Sequence, residues 1–315
     1  MRTLTSADNC DLCGGRIFIP ELQVGTWQLM RCSSCGLVFT SPRYTESSIA
    51  QLYSAEYYQG TPAYYLSQMS PPSTDDLNLA RSAARTLRRR GRSLDVGCGT
   101  GRLVEAFRLA GFQASGIEPN EMAATAGRQL GREITSISLS EVPSESMDCI
   151  TAMHVLEHAY SPRAFLAQCH RVLHVHGILI IEVPNYASRA ARRLRERWEP
   201  LYPDTHLYQF TPETLKLYLI NSGLKLLSVR EVGGGGFLHS TAASSLSASE
   251  GSAPTAVSLA GRMRAWLWLS RHMVYGIPYA KEAVRFLYWH VLGQGEFVRI
   301  QARKESSTDL GGAGC

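Results

Sequence analysis

Residues 92–112, RSLDVGCGTGRLVEAFRLAGF, read as a buried strand, a glycine turn and an amphipathic helix. Gly97, Gly99 and Gly101 stand at alternate positions, so the turn lets backbone approach a ligand closely. The spacing is GxGxG; Arg102 occupies the place where GxGxxG needs its last glycine, so the dinucleotide fingerprint is incomplete. Further apolar strands are read in QASGIEPN, MDCITAMH, HGILIIEVPN, LKLLSVREV and EFVRIQARK. Strands of this kind separated by helices predict an α/β fold with a parallel, doubly wound sheet. Its ligand then lies outside the carboxyl ends of the strands.

Glu118 closes the second strand, 23 residues after Asp95, where an acid binds both hydroxyls of a ribose. A glycine turn and a ribose acid without the pyrophosphate signature suit an adenosyl cofactor that lacks phosphates.

Ahead of this region, Cys10, Cys13, Cys32 and Cys35 form two CxxC pairs with 18 residues between them. Each pair sits on a turn followed by glycine, and two pairs complete a tetrahedral thiolate site for structural zinc. Two disulfides are the alternative. The start of the chain shows no apolar signal region, and a reducing cytoplasm, the expected location, opposes them. Cys98, Cys149, Cys169 and Cys315 are scattered.

LDVGCGTG followed by GIEPN resembles motifs I and II of class I S-adenosylmethionine-dependent methyltransferases, over about residues 93–230. The resemblance implies a Rossmann-like seven-stranded sheet, with EFVRIQARK as its terminal antiparallel strand. It places Asp95 near the methionine amino group. Gly97, Cys98, Gly99 and Gly101 run beneath the cofactor, Glu118 and Pro119 lie at the ribose, Leu139 at the adenine, and Met153 completes the set. The implied division is a zinc ribbon at 1–45, a helical and aromatic lid segment at 46–92, and the methyltransferase domain at 93–236. A linker and helical insert at 237–294, the final strand at 295–305 and a tail at 306–315 follow.

MHVLEHAY and DTHLYQFTPETL resemble the O-methyltransferases of quinone biosynthesis, which carry ExxEH after the fourth strand and a histidine before an FxPExL helix. The implied reaction edge is His154, Glu157, His158 and His206. Here the first acid of ExxEH is His154. Some relatives hold a divalent cation at this place. A nitrogen-rich set suits zinc, iron or manganese better than magnesium. A histidine acting as general base without a metal is the other possibility, and a solvated polar first turn is the plainest reading. In the FxPExL segment Thr211 is the expected N-cap and Pro212 the first helical residue. Glu213 falls one place short of the capping-box position, which Thr214 occupies.

The chain's 315 residues, 44% hydrophobic and 19% charged, hold one sizeable core with appendages. A net charge of +5 does not argue for nucleic acid. Tyr53, Tyr57, Tyr58, Tyr64 and Tyr65 form either a cofactor lid or packing for the ribbon. The basic run at 188–198 is a candidate receiver for a substrate phosphate or carboxylate. Trp266, Trp268, Tyr275, Tyr279, Phe286, Tyr288 and Trp289 suggest amphipathic helices. Packing on the sheet or in a homodimer is favoured for them over weak peripheral membrane association, and no membrane span is expected.

The leading reading is methyl transfer to a small molecule, most plausibly O-methylation of a natural product, glycan or lipid-like acceptor. Carbon methylation of a nucleotide sugar ranks second. RNA methylation through the ribbon ranks third, because MHVLEH replaces the Asn/Asp-Pro-Pro-aromatic motif used on exocyclic base amines.

Overall fold

The computed structural model describes residues 3–49, 69–233 and 295–306. The tyrosine-rich segment as far as residue 68, the aromatic insert and the tail beyond residue 306 lie outside them. Among the described residues no helix is long and apolar enough to cross a membrane.

At the N-terminus β1 (Leu4–Thr5) pairs with β5 (Arg43–Tyr44). Between them β2 (Phe18–Val24), β3 (Trp27–Cys32) and β4 (Val38–Thr40) form an antiparallel meander. The β2–β3 turn is the Gly25-Thr26 pair, with Gly25 at φ +57°, as a tight hairpin requires. Cysteines 10, 13, 32 and 35 converge at one end of this ribbon, their sulfurs all within 4.8 Å of one another.

The main sheet contains β6 (Arg92–Val96), β7 (Gln113–Ile117), β8 (Ile134–Thr135), β9 (Met147–Met153) and β10 (Leu173–Pro184). These five are parallel. After β11 (Tyr208–Gln209), which belongs to the ribbon, come β12 (Leu224–Val232) and β13 (Phe297–Lys304). The seven-stranded order is β12-β13-β10-β9-β6-β7-β8, with β13 antiparallel to both neighbours. Ile150, Ala152 and the run Ile178–Ile181 are buried, as strands covered on both faces must be. Strand order reverses at β6, between β7 and β9, and this opens the crevice at their carboxyl ends.

The helices are α1 (Thr74–Leu87), α2 (Arg102–Leu109), α3 (Glu121–Gln129), α4 (Pro162–Val172), α5 (Arg189–Leu194) and α6 (Pro212–Asn221). Ser73 and Asp76 form a reciprocal capping box on α1. Thr211 caps α6, and the Thr214 hydroxyl, rather than a carboxylate, completes its box.

Five short strands escaped the sequence pattern. β1, β5, β8 and β11 are two residues each and β4 three, too short to show alternation. β11 matters most, because it extends the ribbon sheet from within the main domain, in the order β11-β4-β3-β2. Leu12, Leu37 and Phe39 of the ribbon share one core cluster with Leu156, Leu207, Phe210 and Tyr218.

Candidate active site

The crevice is built by three strand ends and the turns that leave them. Asp95 lies in β6, 7% exposed, and accepts a hydrogen bond from Thr151 Oγ1 of β9 at 2.6 Å. Burial pushes its carboxyl up to about 7, against the Thr151 hydrogen bond. Gly97 follows at φ +68°, and a Cβ there would stand 2.6 Å from Val155 Cγ2, so neither the backbone angle nor the space admits a side chain. Gly99, at φ +56°, has nothing within 4 Å of where its Cβ would be. Open space over a glycine at a strand end is where a ligand comes close to backbone.

Glu118 is 4% exposed and ties the two turns together. Its Oε2 accepts from the Gly99 N–H at 2.8 Å and its Oε1 from the Asn120 N–H at 2.9 Å. Each carboxylate oxygen has a second lone pair, which suits a vicinal diol. Burial raises the Glu118 carboxyl, and the two N–H bonds oppose the rise.

The Cys98 side chain is turned onto β7, since a Cβ on Gly116 would lie 2.4 Å from its sulfur; toward the crevice only its backbone is offered. Leu139 is buried in a 3₁₀ turn, Leu139–Glu141, Met153 ends β9 half-buried, and Pro119 is exposed. Two buried carboxyls at adjacent strand ends, with a bare glycine between them, fit a cofactor bearing an ammonium and a ribose diol.

That fit has a measurable consequence. An ammonium partner favours the Asp95 carboxylate, which below about pH 7 must first lose its proton. Calorimetric affinity for S-adenosylhomocysteine is therefore expected to rise as pH climbs to about 7, by at most about tenfold per unit, and then level off. Asp95→Asn should flatten the profile; an unchanged profile would place the ammonium elsewhere.

His154 leaves β9 at φ +56°, with its N–H donating to the Glu182 carbonyl at 2.8 Å. Its Nε2 is 3.2 Å from Glu182 Oε1 and its Nδ1 is 3.5 Å from Glu157 Oε1. Arg299 Nε donates to the other Glu182 oxygen at 2.6 Å. Burial alone would lower the imidazole's pKa, but the two carboxylates outweigh it and push it up to about 10. His154 is therefore an imidazolium between two carboxylates.

No α-helix begins after His154; Leu156–His158 form a single 3₁₀ turn, and α4 starts only at Pro162. Glu157 is 1% exposed, and its Oε1 is paired with the His154 imidazole at 3.5 Å. Burial raises its pKa, but the His154 imidazole more than reverses this and holds it below the ordinary carboxylate value. His158 Nδ1 lies 3.0 Å from the Thr205 carbonyl and His206 Nδ1 lies 2.7 Å from the Pro200 carbonyl. Facing carbonyls, both Nδ1 atoms carry hydrogen, which puts the lone pair of each neutral ring on Nε2. The rings meet edge to face, centroids 4.5 Å apart. Burial lowers both imidazoles, His206 to about 3 with help from the neighbouring His158.

Ligand atoms of Glu157, His158 and His206 all lie within 4.8 Å of one another, and His154 stands outside this set. The tertiary structure thus brings together three of the four residues singled out at the reaction edge, two of them some fifty residues apart in sequence. Glu182 and Arg299, which hold His154, went unrecognised there. Glu182 lies in an apolar strand, EVPN, with only its charge to mark it. In the basic run, the exposed Arg192 donates from Nε and Nη2 to the Ala187 carbonyl at 2.9 and 2.7 Å.

In the ribbon, Cys10 Sγ lies 3.5 Å from Cys35 Sγ and Cys13 Sγ lies 3.6 Å from Cys32 Sγ. A tetrahedron with metal–sulfur bonds of about 2.3 Å has edges of about 3.8 Å, so the four thiols fit zinc with no open position.

A family profile described as a methyltransferase domain matches residues 67–229. The chain belongs to this methyltransferase family. A ubiquinone biosynthesis O-methyltransferase of Bradyrhizobium sp. (strain ORS 278) is 30% identical over 148 residues, 42% of this chain and 58% of that protein. One of the same name from Rhodopseudomonas palustris (strain TIE-1) is 33% identical over 101 residues, 30% of this chain and 40% of that protein. The chain thus spans about half the length of the curated relatives it matches. A solved phosphoethanolamine N-methyltransferase 2 of Haemonchus contortus, in complex with S-adenosyl-L-methionine, is similar at TM-score 0.54 and 13% identity. The match covers 85% of this chain and 63% of that one. The 1,6-didemethyltoxoflavin-N1-methyltransferase of Burkholderia thailandensis, solved with its namesake compound and S-adenosylhomocysteine, has TM-score 0.51 and 13% identity. Coverage there is 91% and 99%. At this identity both establish the Rossmann-like fold of the methyltransferase sheet alone.

Proposed function

We propose that this methyltransferase moves the methyl group of S-adenosylmethionine to a hydroxyl of a small-molecule acceptor. The observation that carries the reading is the convergence of Glu157, His158 and His206 beside the crevice, on the side of β9 away from Glu118. Asp95 and Glu118 hold the cofactor, which supplies an activated methyl on a sulfonium sulfur. The acceptor oxygen forms a bond to the methyl carbon as the carbon–sulfur bond breaks, and the hydroxyl proton goes to the Nε2 lone pair of His158 or His206. His154 is the charged link that holds Glu157 ionised.

The ubiquinone O-methyltransferase relatives support an oxygen acceptor. In this reading residues 1–45 support the reaction edge, and residues 93–236 with 295–305 carry cofactor and chemistry. The acceptor is a natural product, glycan or lipid-like molecule.

A second reading has its own observation. Two neutral imidazoles and a buried carboxylate, their ligand atoms within 4.8 Å of one another, are a donor set for zinc, iron or manganese. A cation there would lower the acceptor hydroxyl's pKa in place of a base.

The test is a methyl-transfer screen over phenols, glycans, nucleotide sugars and RNA, with metal analysis before and after dialysis against chelator. Methyl ethers from phenols or glycans are expected. Carbon methylation of a nucleotide sugar, or methylated RNA, would replace the reading by the corresponding alternative.

A further inference from the structure

The ribbon contributes more than an appended metal knuckle. β4 follows directly from the second CxxC pair, and its partner β11 follows directly from His206. Phe39 pairs with Tyr208 and Val38 with Gln209, and the Thr40 N–H donates to the Leu207 carbonyl at 3.0 Å. On the other side, the Leu207 N–H donates to the Glu157 carbonyl at 2.8 Å. The segment bearing His206 is thus held between the ribbon and the turn bearing Glu157 and His158.

The first knuckle docks separately. Asp11, between Cys10 and Cys13, accepts from Ser161 Oγ at 2.6 Å, from the Arg163 N–H at 3.0 Å and from the Tyr218 hydroxyl at 3.0 Å. Arg163 returns two bonds, to the carbonyls of Asp11 and Leu12 at 2.8 and 2.9 Å. Both knuckles therefore grip the acceptor side of the domain. Asp95 bonds to Thr151 of β9 and Glu118 to the Gly99 and Asn120 N–H groups, all within the main domain and none in the ribbon.

Resting on the functional reading above, we propose that the four-thiolate metal is a clamp on the acceptor side of the methyl-transfer site. With metal bound, β4 holds β11 and keeps His206 against His158. Loss of metal through chelation frees that edge and stops methyl transfer while the cofactor crevice stays folded. The coupling runs along the chain: residues 36–40 leave the second CxxC pair within one turn, and their β4 segment pairs with β3 on one edge and with β11 on the other.

The experiment is amide hydrogen exchange by mass spectrometry on the full chain, zinc-loaded and after zinc is withdrawn and quantified with a chromogenic chelator. Exchange at residues 36–40 and 205–210 is expected to quicken by at least about tenfold, while residues 94–101 and 115–118 change less than about twofold. S-adenosylhomocysteine affinity should stay within about threefold, and re-added zinc should restore protection. Unchanged exchange at 205–210 would overturn the clamp. So would equal loss of protection in the cofactor crevice, since the metal would then hold the whole fold. Arg163→Ala, which keeps all four thiols, loosens the docked ribbon without removing its metal. It should quicken exchange at 205–210 with zinc content unaltered, and full protection there would also count against the clamp. A failure of the methyl-transfer reading appears differently, as absent turnover in zinc-loaded protein, and leaves the exchange result standing.

Discussion

Turnover of a His158→Ala variant is expected to fall by about 10²–10⁴-fold, with S-adenosylhomocysteine affinity within about threefold of the parent. The size follows from the proposed role: a group that accepts a proton in the transition state contributes that range, and His158 lies away from Asp95 and Glu118, the carboxyls proposed for the cofactor. The imidazole is half-buried, neutral and oriented by the Thr205 carbonyl, so its removal takes away a lone pair without leaving a buried charge. His206→Ala should behave alike, since its tautomer is set the same way by Pro200. Glu157→Gln separates the two chemistries. Loss of a stoichiometric metal together with turnover supports the cation; retained turnover of metal-free protein supports the base. Full activity in both histidine variants would remove the site from the mechanism.

The second large effect concerns stability. Glu182→Ala leaves His154 and Arg299 without their shared carboxylate, and removing one member of such a buried network costs about 3 kcal/mol. The lower end of the range applies, because the side chains of His154 and Arg299 remain 29% and 26% exposed. The pH dependence has a definite sign. His154 is raised from 6.5 to about 10, so its contribution is complete below about 6.5 and fades as pH rises toward 10. Glu182 is lowered from 4.5, chiefly against burial, by His154 and Arg299; its contribution is present above about 4.5 and is lost as pH falls. The gap between parent and variant in urea denaturation should therefore be widest between about pH 4.5 and 6.5. A gap that is flat from pH 4 to 10 would show that the network carries no charge.

The cofactor half was readable because it is local. One strand, one glycine turn and the acid ending the next strand state the ligand's chemistry within some thirty residues, and the turn's positive φ angles are those that glycine alone adopts readily. The cysteine pairs were equally plain, since two CxxC turns have little else to do. The reaction edge was visible only as a list. His154 occupies the place of an acid in the relatives' motif, and sequence offered it as base or ligand; the structure puts it between Glu157 and Glu182, where it carries a proton and a charge. That outcome depended on Glu182 from β10 and Arg299 from β13, neither of them near MHVLEHAY in the chain.

By itself the sequence determined the α/β class, the glycine turn beside two buried acids and the four-cysteine knuckle, because each is written in residues close together and in backbone angles tied to residue type. Tertiary structure alone decided which histidines share a site, which of them is charged, and that the ribbon sheet takes its last strand from beside His206. These depend on burial and on partners far along the chain. An imidazole's proton is settled by its neighbours, and neighbours are what folding supplies.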